Sequence, residues 1–133
     1  MKHWAYELVG KPHAPDGFGP THYSCWGLVR AVFWIRYGIA MPEVVLNSEI
    51  HNNVRAIKEA ARVSGWRRIS VAQQPVNDGD ILLFPKPTLH VAVAVEANNR
   101  LGVLESTNET GVVWRPWAQA VSTEAYFEIW RKE

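Results

Sequence analysis

The apolar residues of this chain change period halfway along it, and that change restricts the fold more than any other feature. From Ser24 the sequence reads CWGLVRAVFWIRYG, with Leu28, Val32 and Ile35 and the pair Val29 and Phe33 at helical spacing. Ser24 is placed to cap the first turn and Gly38 to end the last, which predicts a mostly buried helix of about four turns. A second helix is expected to begin near Ser48, because Ile50, Val54, Ile57 and Ala61 recur on one face before Gly65. Its other face, with Asn53, Arg55 and Lys58, is expected to be solvated. In the second half the period falls to two. From His90 to Glu96, the residues Val91, Val93 and Val95 alternate with His90, Ala92 and Ala94. Further strands are predicted from Asp80 to Phe84, Leu101 to Ser106, Val112 to Arg115 and Tyr126 to Arg131. Helices first and an antiparallel sheet afterwards place the chain in the α+β class.

The first residues add little regular structure. A short helical turn fits Trp4 to Val9, and Gly10, Pro12, Pro15, Gly17, Gly19 and Pro20 then break any helix into an ordered loop. That loop is too short for a domain linker and there is no internal repeat, so residues 1–133 are expected to form a single domain. A chain of this length buries roughly two thirds of its unfolded surface, enough for a core without a metal or disulfide. With 14 basic and 13 acidic residues the net charge is +1, and no basic run exceeds Arg67-Arg68, which argues against a nucleic-acid surface. No apolar run approaches the ~18 residues of a membrane span. The first ten residues mix Lys2, Trp4, Tyr6, Glu7 and Gly10, unlike a signal peptide, so synthesis in the cytosol is expected.

The one cysteine cannot form an internal disulfide, and its position suggests another use. Cys25 follows the proposed cap, so its sulfur sits at a helix start, where the macrodipole and unpaired amides favour a thiolate. Against this stands the ordinary behaviour of cysteine as a small buried hydrophobe. A partner decides between them. Of the five histidines, His3, His13, His22 and His51 fall where a solvated surface histidine is the default, whereas His90 opens the alternating strand. Its face carries Ala92 and Ala94, small side chains expected to let the cysteine helix approach. If the strand turns back through Ala97-Asn98-Asn99-Arg100, Glu96 pairs with Leu101 and Ala94 with Val103. Glu105 then lies diagonally beside His90 on the same face, with Cβ atoms about 7 Å apart. Nucleophile, base and orienting carboxylate converge, as cysteine acyl-transfer chemistry requires.

The strings LVGKPHAPDGFGPTHYSCWGLVRAVF, GIAMPE, GDILLFP, LHVAVAVE and LGVLES, in that order, resemble the NlpC-type family of papain-like cell-wall cysteine peptidases. The resemblance spans nearly the whole chain and is nearest to the subgroup encoded with phage tails. It implies a papain-like fold, with N-terminal helices and the catalytic cysteine at a helix start packed on a C-terminal antiparallel sheet. It also implies Cys25 as nucleophile, His90 as general base and acid, and Glu105 as the third polar residue. The substrate implied is an amide in the peptide stem of peptidoglycan, typically beside a D-glutamyl residue joined through its γ-carboxyl. The Cys25 backbone N–H would hold the oxyanion. Three positions depart from the family. Ser24 replaces its usual aspartate, Glu105 its usual histidine, and His13 a tyrosine that supports the sulfur region, so Ser24 and His13 are candidates for substrate or oxyanion support. Phage-tail proteins are implied as partners, with the wall reached from a virion or after lysis.

Other signals are weaker. His22 and Cys25 have no second pair at ligand spacing, so neither a metal nor a cofactor is expected. Trp26, Trp34 and Trp130 are expected in the core. Trp114, Arg115 and Trp117 suit either the wall of a substrate groove or a cover for the sheet end. Two further function classes stay open: a catalytically degenerate module that binds a tail or cell-wall component through the same groove, and a thiol enzyme acting on another acyl bond.

Overall fold

The first long helix, α1 (Cys25–Tyr37), forms where the apolar spacing predicts it and carries both expected caps. The Ser24 hydroxyl accepts a hydrogen bond from the Gly27 N–H at 2.9 Å, and Gly38 ends the helix with a left-handed φ of 66°. In this computed structural model the described residues are 3–44, 50–70, 75–85, 89–122 and 126–133. The N-terminal turn is a 3-10 helix at Trp4–Glu7, and a second helix, α2, covers Ile50–Val63. Ser48, where α2 was expected to begin, lies outside the described residues.

Six strands form one antiparallel sheet: β1 (Trp66–Ile69), β2 (Ile81–Phe84), β3 (His90–Ala97), β4 (Arg100–Thr107), β5 (Gly111–Pro116) and β6 (Glu128–Lys132). Their spatial order is β1-β6-β2-β3-β4-β5, and a single helical turn, α3 (Trp117–Ala120), follows β5. Neither β1 nor α3 was predicted. β1 is a four-residue edge strand whose Arg67 and Arg68 are both exposed, so it shows no alternation, and such charges blunt a sheet edge. β6 starts at Glu128 rather than Tyr126.

The β3–β4 hairpin has the expected register, with Glu96 opposite Leu101 and Ala94 opposite Val103. Its loop is only Asn98 and Asn99, at φ of 53° and 63°, the left-handed pair of a two-residue turn matched to strand twist.

The face on which α1 packs differs from the expectation. Val91, Val93, Val95 and Leu104 join Leu28, Val29, Val32 and Phe33 of α1 in the main core. Ala92 and Ala94 face the other way, against Leu82, Val103, Val121 and Ile129. Both faces of β3 are buried, so the alternation separates large from small side chains and not core from solvent. The valines fill the space under α1, where burial of each branched side chain contributes about 1.5–3 kcal/mol.

Three other residues depart from their expected environments. Trp34 is 62% exposed, because eight residues turn it about 80° from Trp26, which is buried and donates from its indole to the Pro42 carbonyl. Trp130 is buried as expected. On α2, Asn53 is buried and Lys58 pairs with the buried Glu128 at 3.1 Å, so the polar face is solvated chiefly at Arg55.

Candidate active site

Cys25 is the first residue of α1, and its buried side chain is near enough to His90, at the start of β3, for the two groups to shift each other's ionisation by hydrogen bonding and charge. The His90 Nε2 lies 2.8 Å from the Glu105 Oε1, which leaves Nδ1 for the sulfur. His90 and Glu105 project from the alanine face, while α1 packs on the valine face. Sulfur and imidazole therefore meet at the end of β3 and not across it. The β3–β4 ladder runs from Ala97↔Arg100 to Val93↔Leu104, and beyond it Glu105 and Ser106 pair with Val113 and Val112 of β5. The β4 end is tied to the cysteine segment, since the Ser106 hydroxyl donates to the Tyr23 carbonyl at 2.7 Å.

The charges of these groups depend on one another. Burial pushes the Cys25 thiol up, but the hydrogen bond and charge of His90, with backbone N–H groups of Val91 and Trp26, outweigh it and hold the thiol below its ordinary value. Burial pulls His90 down, yet hydrogen bonds and charge from Cys25 and Glu105 raise it to about 9. Burial would raise Glu105, but His90 and Arg115 keep its carboxylate below the usual range. At neutral pH His90 is therefore an imidazolium and Glu105 a carboxylate, and both shifts act together with the lowered thiol to favour the thiolate form of Cys25.

Ser24 lies beside the sulfur as the helix cap, its hydroxyl occupied by the Gly27 N–H. His13 is not a solvated loop histidine. It is half-buried, and its Nδ1 lies 3.0 Å from the Ser106 Oγ. Because that hydroxyl already donates to Tyr23, Nδ1 of His13 must be the donor in this pair. Burial and the charge of His90 lower the His13 pKa, so the ring is neutral with a bare Nε2 lone pair. In this form His13 can accept from a substrate N–H but cannot donate from Nε2 to an oxyanion, unlike a tyrosine hydroxyl. His3 also has a structural use, accepting from the Ala5 N–H as the cap of the first turn, while His22 is exposed beside Thr21. The side chain of His51 lies outside those described.

Trp114 is not brought to this cluster. Its indole donates to the Val95 carbonyl at 2.9 Å, and it lines a groove of about 960 Å³ with His3, Ala5, Tyr6, Val9, Ala97 and Asn98. Ala97, at the far end of β3, lies roughly 23 Å along the strand from His90. Arg115, read from the sequence as a groove or cover residue, instead donates to the Glu105 Oε2. A signal for this was present: if Thr107 faces Gly111 across the turn that follows β4, Val103 must face Arg115, which puts Arg115 on the Glu105 side. Among the described residues no group of three or more His, Cys, Asp or Glu is placed to hold a metal, and no helix is long and apolar enough to cross a membrane.

No protein-family model matches the sequence, and no curated protein matches it. Among solved structures, the chain is similar to the crystal structure of the NlpC/p60 domain of the peptidoglycan hydrolase SagA. The TM-score is 0.59 and the identity 21%, over 94% of this chain and 91% of that one. That likeness, with helices preceding a six-stranded antiparallel sheet and Cys25 at the start of α1, shows that the chain has the NlpC/p60 fold, a papain-like α+β arrangement.

Proposed function

We propose that the protein is a cysteine peptidase that hydrolyses amide bonds in peptidoglycan stem peptides, with Cys25, His90 and Glu105 as its catalytic residues. The observation that carries the reading is the continuous chain from the Cys25 sulfur through His90 to Glu105, at a helix start, in an NlpC/p60 fold. In this mechanism the Cys25 thiolate attacks the amide carbonyl, and the resulting oxyanion is held by the Cys25 N–H at the helix start. His90 donates its proton to the leaving amine as the C–N bond breaks, leaving an acyl thioester on Cys25. His90 then takes a proton from water, the hydroxide attacks the thioester, and the carboxylate product leaves with the thiolate restored. Glu105 holds the imidazole in orientation and stabilises its charged form. Ser24 supports the site as the cap of α1, and neutral His13 supplies an acceptor for a substrate N–H.

The resemblance in sequence further supports a D-glutamyl γ-linkage as the bond cut and delivery to the wall as part of a phage tail or after lysis. The test is incubation with defined muropeptides, read by chromatography and mass spectrometry. Wild type is expected to release one new amine and one new carboxylate per cut, and Cys25→Ala is expected to fall to the uncatalysed background. Equal cutting by the two proteins contradicts the mechanism. A wild type that leaves muropeptides intact while its Cys25 reacts rapidly with alkylating reagents points to a different acyl substrate.

A further inference from the structure

We propose that Arg115 is a positioning residue of this site, holding the buried Glu105 carboxylate in the orientation and charge state in which it orients His90. The inference rests on the Cys25–His90 reading above and adds a fourth member to it. Three adjacent strands present these groups in a row: His90 on β3, Glu105 on β4 and Arg115 on β5. Glu105 stands opposite Val113 and Arg115 opposite Val103, so Arg115 is the diagonal neighbour of Glu105 on the face shared with His90. Each Glu105 oxygen has its own partner, Oε1 with His90 and Oε2 with the Arg115 Nη2.

The burial of Glu105, which is 6% exposed, makes the second partner necessary. A carboxylate out of water with one oxygen unpaired is strongly disfavoured, and it relaxes by rotating toward solvent or by taking a proton. Either change removes the acceptor that fixes the imidazole. The contact to Glu105 is made through Nη2, and the buried Nε of Arg115 has no hydrogen-bond partner of its own among the described residues. The titratable and charged groups facing Glu105 and His90 from the surrounding elements are Arg115 on β5, Cys25 on α1 and the neutral His13 on the loop before it. Of these, Arg115 is the one in contact with the free side of the carboxylate.

The direction of one titration separates this role from simple proximity of charge. Removing a cation that acted only through space would ease protonation of His90 and move its pKa up. Removing a residue that holds Glu105 in place moves it down. Histidine side chains can be followed by NMR against pH, with His90 identified by its loss in His90→Gln, and folding of each variant checked by thermal unfolding. Wild-type His90 is expected near 9. Arg115→Met is expected to lower it by about one pH unit or more, and Arg115→Lys, which keeps a cation without the fork, by less. Glu105→Gln should also lower it, and adding Arg115→Met to Glu105→Gln should change nothing further. A His90 titration in Arg115→Met at or above the wild-type position overturns the proposal, as does a further fall in the double variant. If the expected pattern appears while muropeptides are not cut, the role of Arg115 stands and the proposed substrate fails. If wild-type His90 titrates near its ordinary value, both fail.

Discussion

Replacing His90 by alanine is expected to lower the rate of muropeptide hydrolysis roughly 10²–10⁴-fold, the usual contribution of a positioned general acid and base. The loss has two sources. The leaving amine is no longer protonated, and Cys25 loses the hydrogen bond and charge that hold its thiol below the ordinary value. Alkylation of Cys25 near pH 6 should therefore slow in parallel with hydrolysis, which distinguishes loss of activation from loss of substrate binding. The fold is expected to survive, because Glu105 keeps its ion pair with Arg115 and the open Oε1 is relieved by rotation toward solvent or by taking a proton. The stability linked to His90 has a defined sign. Its folded pKa is raised to about 9, so its contribution is complete below the unfolded value and is lost as pH rises through about 9. Glu105 is shifted the other way, so its contribution is present above the unfolded carboxylate value and is lost as pH falls through its folded one. A His90→Ala protein that cuts and alkylates at the wild-type rate would contradict the assignment.

Gly27→Ala is expected to cause the largest loss of stability from a single added methyl. A Cβ at this position would overlap the carbonyl oxygen of Gly17, which cannot swing aside because it accepts the Ser24 N–H at 2.8 Å. Ser24 in turn caps α1, and the same loop carries His13 and Tyr23 to Ser106. Relief of the overlap therefore requires either the loop or the start of α1 to move, and both hold the site. The cost is expected to be about 3 kcal/mol or more, the upper range for overpacking, and to lower Tm by about 10 °C or more. Thermal unfolding followed by circular dichroism measures it, and a Tm within a degree or two of wild type would show that the loop does not press on the helix as described.

The parts of this structure legible in the sequence are those in which local chemistry dictates the outcome. Ser24 and Gly38 bound α1 because a hydroxyl and a left-handed glycine satisfy the groups that every helix end leaves open. The diagonal from Glu105 to His90 followed from a hairpin register that two left-handed asparagines enforce. The parts not legible depend on partners distant in the chain. The face of β3 that meets α1 could not be read, since both faces are apolar and only the width of the space beneath the helix selects the valines. Four residues of β1 carry no period, and their place is fixed by pairing with β6 more than 50 residues later, as in Trp66↔Lys132. The contacts of His13 and Arg115 are to Ser106 and Glu105 of β4, and they depend on how the N-terminal loop and β5 lie against that strand.

Catalysis by this site depends on the charge state of Cys25. The most direct measurement is the rate at which wild-type protein is alkylated by iodoacetamide from about pH 4 to 10, followed by mass spectrometry of the intact chain. The predicted profile shows reaction beginning below the ordinary thiol range, with a second inflection near 9 where His90 gives up its proton. A single rise centred at about 8.5, the value of an unperturbed cysteine, would contradict it.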